Sequence, residues 1–284
     1  MGNLIASPSP MRKAFSKGLD FVANKFNALA NPWLPEFNGT EITRLFVQLP
    51  YLDPVFNGYR LVQFSDIHLG TMVQENHLNE VVELVNDLEP DTIAITGDFV
   101  SHQPEEFAFP LLSALSRLIA KDVKVAVLGN HDHWTSAELI RWVLKRSSFV
   151  ELCNSVLPLH REKKLLYLAG VDDFLVNQDR IGNLLDLIPE HSAAILLAHE
   201  PDFADISAAT GWFGLQISGH THGGQMQIPL VSRFLLPPKG RKYPSGQYQL
   251  NGMTLYTNRG IGTSWLKFRY RCPPEISVYN LQAI

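Results

Sequence analysis

At the centre of the chain, residues 124–132 read KVAVLGNHD, an apolar run followed by a glycine and three polar side chains. The β-branched run predicts a short buried strand, and Gly129 permits a sharp turn where that strand ends. Three consecutive polar side chains would be costly to bury without partners, so they indicate a chemical site. Asn130 can offer an oxygen to a cation, His131 can exchange protons near neutral pH, and Asp132 can orient His131.

The same arrangement, a predicted strand followed directly by polar residues, recurs on both sides of this segment. Helices are predicted between the strands, at Asn76–Leu88, at Glu105–Ala120 with a kink at Pro110, and from Thr135 onward. This alternation is typical of an α/β fold with a largely parallel sheet, which binds ligands at the carboxyl ends of its strands. The strands that end in polar residues are Tyr59–Phe64, Thr92–Thr96, Lys124–Leu128, Ala193–Ala198 and Leu215–Ser218.

The composition is typical of a globular protein with a full core. The 284 residues are 45% hydrophobic and 18% charged, which suits one large α/β domain. A net charge of −4 and a pI near 6.2 argue against a nucleic-acid-binding surface. Cys153 and Cys272 form no CxxC pair, so we expect two small buried thiols and no thiolate metal site. No apolar run reaches the roughly 18–20 residues that span a bilayer, and nothing implies a partner protein.

Residues 1–40 differ in pattern from the domain predicted over residues 41–284. They lack the continuous apolar core of a secretory signal, so we expect a cytoplasmic protein. Two interpretations stay open: a helix docked on the domain, or a basic amphipathic helix over residues 10–30 on an anionic membrane surface. Apolar side chains recur there at nearly helical spacing, at Phe15, Leu19, Val22, Phe26 and Leu29.

Seven side chains at the predicted strand ends have the chemistry of metal ligands. Asp66 and His68 are two residues apart, as are His220 and His222, so an extended backbone would point each pair to one face. Carboxylate, imidazole and amide ligands without thiolate favour Mn²⁺, with Fe or Zn²⁺ as alternatives. Seven ligands suit two ions if one carboxylate bridges them, and we assign that bridge to Asp98. The set is Asp66, His68, Asp98, Asn130, His199, His220 and His222.

Together these motifs closely resemble those of the calcineurin-like metallophosphoesterases. The matching motifs are DIH at 66–68, GD at 97–98, GNHD at 129–132, His199, and GHTH at 219–222. The resemblance implies a four-layer α/β/β/α sandwich of two mixed sheets that holds two divalent metal ions. It gives one ion the ligands Asp66, His68, Asp98 and His222. It gives the other ion the ligands Asp98, Asn130, His199 and His220, with His131 as the catalytic imidazole.

This resemblance also implies a mechanism. Two ions roughly 3.5–4 Å apart can hold a bridging hydroxide in line with a phosphorus and bind the phosphoryl oxygens. His131 would stabilise developing charge or protonate the leaving oxygen, with Asp132 fixing its orientation. Ser101 stands where purple acid phosphatases carry a tyrosine ligand. No Asp-Arg-Gly run follows Asp98, as it does in the Ser/Thr protein phosphatases, so both of those classes are disfavoured.

Three cations in the last third of the chain are candidates for substrate binding. Arg241 and Lys242 lie on a turn-rich loop, where they could meet a second phosphate or the leaving group. Arg259 precedes a Gly-x-Gly turn; a solvated loop or a hairpin is the alternative in each case. These segments resemble the bacterial branch that includes UDP-2,3-diacylglucosamine pyrophosphatase-like enzymes of lipid A synthesis.

The predicted function is therefore hydrolysis of a phosphodiester or pyrophosphate by two metal ions, in a lipid-linked sugar nucleotide such as UDP-2,3-diacylglucosamine. Exposed side chains at Trp265, Leu266 and Phe268 would suit an acyl chain, although core packing explains them as well. The enzyme would lie at the inner face of the membrane. One alternative is a soluble, broad phosphodiesterase or phosphatase acting on nucleotides. Another is a metal-stabilised module recruited to membranes through residues 10–30.

Overall fold

The computed structural model describes residues 39–227, 232–264 and 268–284, which build two six-stranded sheets and the helices that cover them. The strands are β1 (Glu41–Leu49), β2 (Arg60–Phe64), β3 (Thr92–Thr96), β4 (Val123–Val127), β5 (Phe149–Glu151), β6 (Ser155–Arg161), β7 (Lys164–Gly170), β8 (Ala194–Leu197), β9 (Leu215–Ser218), β10 (Gly246–Leu250), β11 (Met253–Thr257) and β12 (Glu275–Ala283). The α-helices are α1 (Glu75–Asp87), α2 (Pro104–Ser116), α3 (Asn130–Thr135), α4 (Ala137–Arg146), α5 (Ile181–Leu185), α6 (Ala204–Thr210) and α7 (Ser232–Leu235).

Both sheets are mixed, as predicted. The first has the order β1-β12-β2-β3-β4-β5, and its pairs are parallel except for β12 with β2. The second has the order β10-β11-β9-β8-β7-β6, with parallel pairing through β11, β9, β8 and β7 and an antiparallel strand at each edge. Each sheet therefore contains a run of parallel strands, and within that run the carboxyl ends of the strands lie at one edge.

Three apolar clusters hold the layers together. One lies between the sheets and includes Leu61 of β2 and Leu197 of β8. A second fills the space between the first sheet and the helices α1, α2 and α4, where Val82 packs with Ile93. The third lies between the second sheet and the helices α5 and α6. A fully buried Leu, Ile or Val side chain contributes about 1.5–3 kcal/mol to the stability of the fold. The three clusters therefore hold the two sheets and the helices in this order of layers. The predicted four-layer α/β/β/α sandwich is confirmed.

The helix predicted to begin at Thr135 is α4, which begins two residues later at Ala137, and the predicted capping box is wrong. Thr135 ends α3 and donates its hydroxyl to the carbonyl of His131 at 2.8 Å. Ser136 has an extended backbone and caps α4, since its Oγ accepts a hydrogen bond from the backbone N–H of Leu139. The break at Ser136 lets the short α3 present the polar motif while α4 packs on the sheet. Helix α2 continues through Pro110 and ends at Ser116.

Several predictions fall on segments that the structure does not describe. The predicted N-terminal extension over residues 1–40 lies outside the described residues up to position 38, and so do Trp265 and Leu266. Phe268 is buried, which agrees with the core-packing interpretation and not with an exposed side chain for an acyl chain. Both cysteines are free thiols; Cys272 is buried and Cys153 half-buried. Within the described ranges, no helix has the length and apolar character needed to cross a membrane.

Candidate metal centre

The polar motifs meet at the edge where β2, β3 and β4 of one sheet and β8 and β9 of the other end. Backbone hydrogen bonds join their loops: the N–H of Asp66 donates to Gly97 at 3.0 Å, and that of Gly219 donates to His199 at 3.0 Å. The backbone N–H of His220 also donates to the Asp66 carboxylate, at 3.0 Å to Oδ2. Loops from both sheets are therefore tied to one another at the site.

An unusual backbone conformation aims the predicted ligands inward. The φ angles of Asp66, His68 and Asp98 are 53°, 46° and 59°, and those of His220 and His222 are 72° and 52°. The backbone is therefore not extended at these residues, and the prediction that an extended backbone would point Asp66 and His68 to one face, and His220 and His222 to another, is wrong. Non-glycine residues adopt this left-handed region at a cost of order 1–3 kcal/mol each, and such strain concentrates at functional sites.

Asp66, His68 and His222 form the first ligand group, and all three side chains are buried. His222 Nε2 lies 3.4 Å from Asp66 Oδ1 and 3.1 Å from His68 Nε2. The distance from His68 Nε2 to Asp66 Oδ1 is 4.0 Å. One carboxylate oxygen and two imidazole nitrogens therefore converge on a single point.

The second ligand group consists of Asp98, His199 and His220, which are also buried. His199 Nε2 lies 3.3 Å from Asp98 Oδ2 and 3.1 Å from His220 Nδ1. The same Asp98 oxygen lies 3.4 Å from His68 Nε2 in the first group. Asp98 therefore stands between the groups, the position that a bridging carboxylate requires.

A divalent cation in each group fits these atoms. Ligand atoms bound to one ion at about 2.0–2.3 Å lie roughly 3–3.4 Å from their neighbours. The distances above have that spacing, except the 4.0 Å between His68 Nε2 and Asp66 Oδ1. The side-chain oxygen of Asn130, which lines the same cavity, is buried and has no hydrogen-bond partner within the described part of the chain. A cation would supply the partner that this oxygen lacks.

Each histidine of the two groups is oriented by a contact at its other ring nitrogen. His199 Nδ1 donates to the carbonyl of Thr96 at 2.6 Å, and His68 Nδ1 contacts the hydroxyl of Ser101. His220 Nε2 donates to the carbonyl of Pro238 at 2.8 Å, and His222 Nδ1 donates to that of Gly262 at 3.2 Å. Where a carbonyl accepts a hydrogen bond from one ring nitrogen, the opposite nitrogen carries the lone pair and points it into the cluster, as metal ligation requires. The partners are Thr96, Ser101, Pro238 and Gly262.

The pKa values of these groups reflect the burial of two carboxylates. Burial raises the pKa of Asp66 to about 6, although the charge of His199 opposes the shift. Burial alone would raise the pKa of Asp98, but His199 and His131 beside it hold that pKa well below its ordinary value. For His199, burial opposes protonation, yet the Asp98 carboxylate raises its pKa well above the ordinary value. Two ionised carboxylates at this buried site need nearby positive charge to stabilise them, and bound cations would provide it.

His131 lies beside the ligand groups at the first turn of α3. Its ring centroid is 4.7 Å from that of His68 and 5.0 Å from that of Trp134, and its backbone N–H donates to Asp98 Oδ1 at 2.9 Å. Burial lowers the pKa of His131, while the Asp98 carboxylate and a hydrogen bond to the Ser101 backbone oppose that shift. His131 lines the cavity, and one of its ring nitrogens lies within 4.8 Å of ligand atoms from His68 and Asp98.

The Asp132 carboxylate binds backbone groups of two loops, and its predicted role in orienting His131 stays a prediction. Its Oδ2 accepts backbone N–H groups from Asp98 and Gly129, each at 2.9 Å, and its Oδ1 accepts the N–H of Phe99 at 2.9 Å. These three bonds tie the carboxylate to the backbone of both loops. Asp132 therefore joins the loop that carries Asp98 to the loop that carries the GNHD motif.

A cavity of about 440 Å³ opens over the cluster. Its floor contains metal-ligand candidates and His131, and part of its wall is apolar. The side chain of Trp134 is exposed, with 59% of its surface accessible. The apolar part of the wall is formed by Trp134, Leu175, Leu235, Pro237 and Pro238. Sequence reasoning missed Trp134 and His102; Trp134 follows His131 by three residues, a helical spacing that could have indicated it.

The three predicted substrate-binding cations do not line this cavity. Arg259 pairs through Nε with Glu275 and through Nη2 with Glu41, each at 2.9 Å. Lys242 pairs with Asp205, and the Nε of Arg241 contacts the carbonyl of Leu236 at 3.5 Å. Each of these side chains has a partner outside the cluster, so their contact with substrate stays a prediction.

Asp173 and Glu200 form a buried acidic pair behind the cavity wall. Glu200 accepts the backbone N–H groups of Phe174 at 3.0 Å and Leu175 at 2.8 Å. Burial, then the charge of Glu200, raises the pKa of Asp173 to about 9. The folded chain therefore keeps the Asp173 proton up to alkaline pH, whereas the unfolded chain releases it near pH 4. Stability contributed by this group is present below the unfolded pKa and falls as pH rises towards 9.

Asp173→Asn is accordingly expected to stabilise the fold, and by about 1–3 kcal/mol more at pH 8 than at pH 5. The amide keeps a hydrogen-bond donor towards Glu200 and cannot ionise. Urea unfolding at the two pH values measures the effect. Asp205→Asn is the matched control: Lys242 holds the Asp205 pKa low, so this carboxyl is ionised in the folded and unfolded chain at both pH values, and its replacement should lower stability equally at pH 5 and pH 8. An equal effect of Asp173→Asn at both pH values would contradict the prediction.

Comparison with known proteins agrees with this geometry. A family model described as calcineurin-like phosphoesterase matches residues 59–224. An uncharacterized metallophosphoesterase of Bacillus subtilis (strain 168), YkuE, is 32% identical over 234 residues, covering 80% of each chain. The phosphodiesterase YaeI of Escherichia coli (strain K12) is 27% identical and covers 78% of this chain and 82% of its own. The UDP-2,3-diacylglucosamine pyrophosphatase LpxG of Chlamydia trachomatis is 27% identical, covering 85% of this chain and 89% of its own.

Proposed function

The chain belongs to the calcineurin-like phosphoesterases and is thus a phosphoester hydrolase, and we propose that it cuts a phosphodiester or pyrophosphate bond. The observation that carries this proposal is the position of Asp98 Oδ2, 3.4 Å from His68 Nε2 and 3.3 Å from His199 Nε2. A single oxygen shared by two ligand groups suits two ions that act on one phosphorus. The family uses a binuclear divalent metal centre, and this chain carries the side chains for one.

The ligand groups suggest how the two ions would be held. Asp66, His68, Asp98 and His222 would hold one, and Asp98, Asn130, His199 and His220 the other. We propose Mn²⁺, with Fe or Zn²⁺ as alternatives, because the set mixes carboxylate, amide and imidazole and has no thiolate. Bound ions of this kind polarise phosphoryl oxygens and lower the pKa of bound water.

His131 is proposed as the residue that serves the leaving group. Hydrolysis adds the oxygen of water to phosphorus and breaks the bond to the leaving oxygen, which then needs a proton. The His131 ring faces the cavity, with Asp98 and His68 on one side and Trp134 on the other. It is therefore placed to donate that proton or to stabilise the developing charge. Asp132 would contribute indirectly, by keeping the two ligand loops in register.

For the substrate we propose a lipid-linked sugar nucleotide of the UDP-2,3-diacylglucosamine kind. The support is the apolar wall beside the phosphate site, where Trp134, Leu175 and Leu235 could pack on an acyl chain. The Chlamydia trachomatis relative is named for such a substrate. The enzyme would then work in the cytoplasm at the inner face of the membrane, with residues 10–30 as the peripheral contact.

The alternative is a broad phosphodiesterase or phosphatase acting on soluble nucleotides. The Escherichia coli relative is named a phosphodiesterase without a lipid in its name. The exposed indole of Trp134 would suit a nucleobase as well as an acyl chain, because both present flat or apolar surfaces.

The test is Mn²⁺-dependent hydrolysis by the purified protein and by Trp134→Ala. The substrates are UDP-2,3-diacylglucosamine, the same sugar nucleotide without acyl chains, an aryl phosphodiester and an aryl phosphomonoester. We expect the acylated substrate to be preferred, and Trp134→Ala to raise its KM about tenfold, since that corresponds to about 1.4 kcal/mol of lost apolar contact. The KM of the deacylated substrate should barely change.

Other results would redirect the proposal. Hydrolysis of the aryl diester alone would support the nucleotide alternative and remove the lipid assignment. Deletion of residues 1–40 tests the membrane contact separately, since unchanged liposome binding and activity would refute it. No hydrolysis of any substrate, with two Mn²⁺ ions bound, would refute the substrate classes while leaving the metal centre intact.

A further inference from the structure

Arg269 is a buried arginine beside the first ligand group that neither the family motifs nor the sequence analysis includes. Its Nε donates to the carbonyl of Gly262 at 3.0 Å, and its Nη2 donates to those of Arg259 at 2.7 Å and Gly260 at 3.0 Å. Its Nη1 reaches the carbonyl of Cys272 at 3.4 Å. A guanidinium this deeply buried needs most of its donors satisfied, and here backbone carbonyls satisfy them.

Residues 259–262, which we call the support loop, owe their shape to these contacts. Three of the four support-loop carbonyls are those of Arg259, Gly260 and Gly262, and all three accept from the one guanidinium. A planar fork with five N–H donors can bind several carbonyls at once, which the compact ammonium group of a lysine cannot do. Arg269 therefore acts as the centre around which the support loop is folded.

The support loop in turn carries the first ligand group. The N–H of Ile261 donates to Ser65 at 3.0 Å, and that of Gly262 donates to the Asp66 carbonyl at 2.8 Å. A Cβ on Gly260, whose φ is 67°, would lie 2.7 Å from the Asp66 Cβ, so the loop fits against Asp66 without spare room. From the other side, His222 Nδ1 donates to the carbonyl of Gly262 at 3.2 Å. That carbonyl also accepts from Arg269.

The second ligand group rests on other supports. His199 is oriented by the carbonyl of Thr96 in β3, and His220 by the carbonyl of Pro238. Asp98 is held by the loop that Asp132 braces. Arg269 contacts the support loop, Cys272 and, through Nη2 at 3.4 Å, His222 Nδ1, so its influence falls on one half of the centre.

We propose that Arg269 is a positioning residue for the Asp66, His68 and His222 half of the metal centre. By fixing the support loop it sets where the Asp66 backbone lies, and it holds the Gly262 carbonyl that accepts the hydrogen bond of His222 Nδ1–H and so leaves Nε2 free to bind a metal. This rests on the proposed binuclear function and adds that the affinities of the two ions are controlled separately.

Mn²⁺ binding to Arg269→Lys tests the inference, measured by isothermal titration calorimetry together with electron paramagnetic resonance. The wild type is expected to bind two ions and to give the spectrum of an exchange-coupled pair. Arg269→Lys should bind one ion with wild-type affinity and the other at least about tenfold more weakly, as is typical when a support of a ligand is lost. Its spectrum at one equivalent of Mn²⁺ should be that of an isolated ion.

Two further variants keep the result interpretable. Arg161→Lys is the matched control, because Arg161 is a half-buried arginine that pairs with Asp91 at 2.8 Å and stacks on Tyr59, far from the cluster. It should bind both ions as the wild type does. If Arg269→Lys does not fold, Ile261→Val loosens the same support loop from its apolar side and should weaken the same single ion. Equal weakening of both ions in these variants, or of neither, would overturn the inference, whereas a wild type that binds no Mn²⁺ would refute the proposed function itself.

Discussion

Asp98→Ala should lose both metal ions and nearly all activity, while keeping the fold. Asp98 Oδ2 faces a histidine of each ligand group, so its removal takes a ligand from both ions at once. We expect kcat/KM to fall at least about a thousandfold, because several kcal/mol of transition-state charge stabilisation are lost and each tenfold costs about 1.4 kcal/mol. Metal-free stability should fall, because the variant loses the buried pair between Asp98 and His199 at 3.3 Å, although the loss also relieves the charge of Asp98 on the neighbouring Asp66 carboxyl.

The measurement combines calorimetric Mn²⁺ binding, hydrolysis of the aryl diester, and thermal unfolding in a chelator. His222→Ala is the informative comparison, because it removes a ligand from the first group alone and should weaken one ion while the other stays bound. Asp53→Ala controls for loss of a carboxylate, since Asp53 pairs with Lys164 away from the cluster and should leave both ions in place. If Asp98→Ala kept one ion at wild-type affinity, Asp98 would not be the bridge.

The fold and the location of the site could be predicted from the sequence because both follow from the pattern of apolar and polar residues along the chain. Apolar runs that end in polar residues mark strands, and parallel strands bring their carboxyl ends to one edge. That argument placed Asp66, Asp98 and Asn130 together although they are far apart in the chain. It needed no knowledge of side-chain contacts.

The contacts within the site could not be predicted, because they depend on residues distant in sequence and on backbone torsions that no pattern reports. Asp132 stands next to His131 in the chain, which suggested an orienting role. In the structure its carboxylate accepts hydrogen bonds from the N–H groups of Gly129, Asp98 and Phe99. Arg259 looked available for a substrate because its partners Glu275 and Glu41 reach it only in the folded sheet.

His131→Ala should keep both ions and lose most turnover. The ring lines the cavity beside His68, so its removal is expected to take away a proton donor or a charge stabiliser. We expect kcat to fall by about 10²–10⁴, the usual range for a general acid. The loss should be larger for an alkyl leaving group than for 4-nitrophenolate, because the weaker base needs less protonation. His191→Ala, at an exposed histidine that contacts Tyr51, is the control and should keep full activity.

The competing role for His131 is metal ligation, because one of its ring nitrogens lies within 4.8 Å of ligand atoms from His68 and Asp98. The two roles separate in a titration of His131→Ala with Mn²⁺. If His131 is a proton donor, its removal leaves the dissociation constants of both Mn²⁺ ions unchanged and makes the rate depend more steeply on the leaving-group pKa. If His131 is a metal ligand, its removal weakens the binding of one ion, and excess Mn²⁺ would then restore part of the rate equally for alkyl and aryl substrates. The dependence on leaving group therefore identifies the atom on which His131 acts, which the loss of activity alone would not.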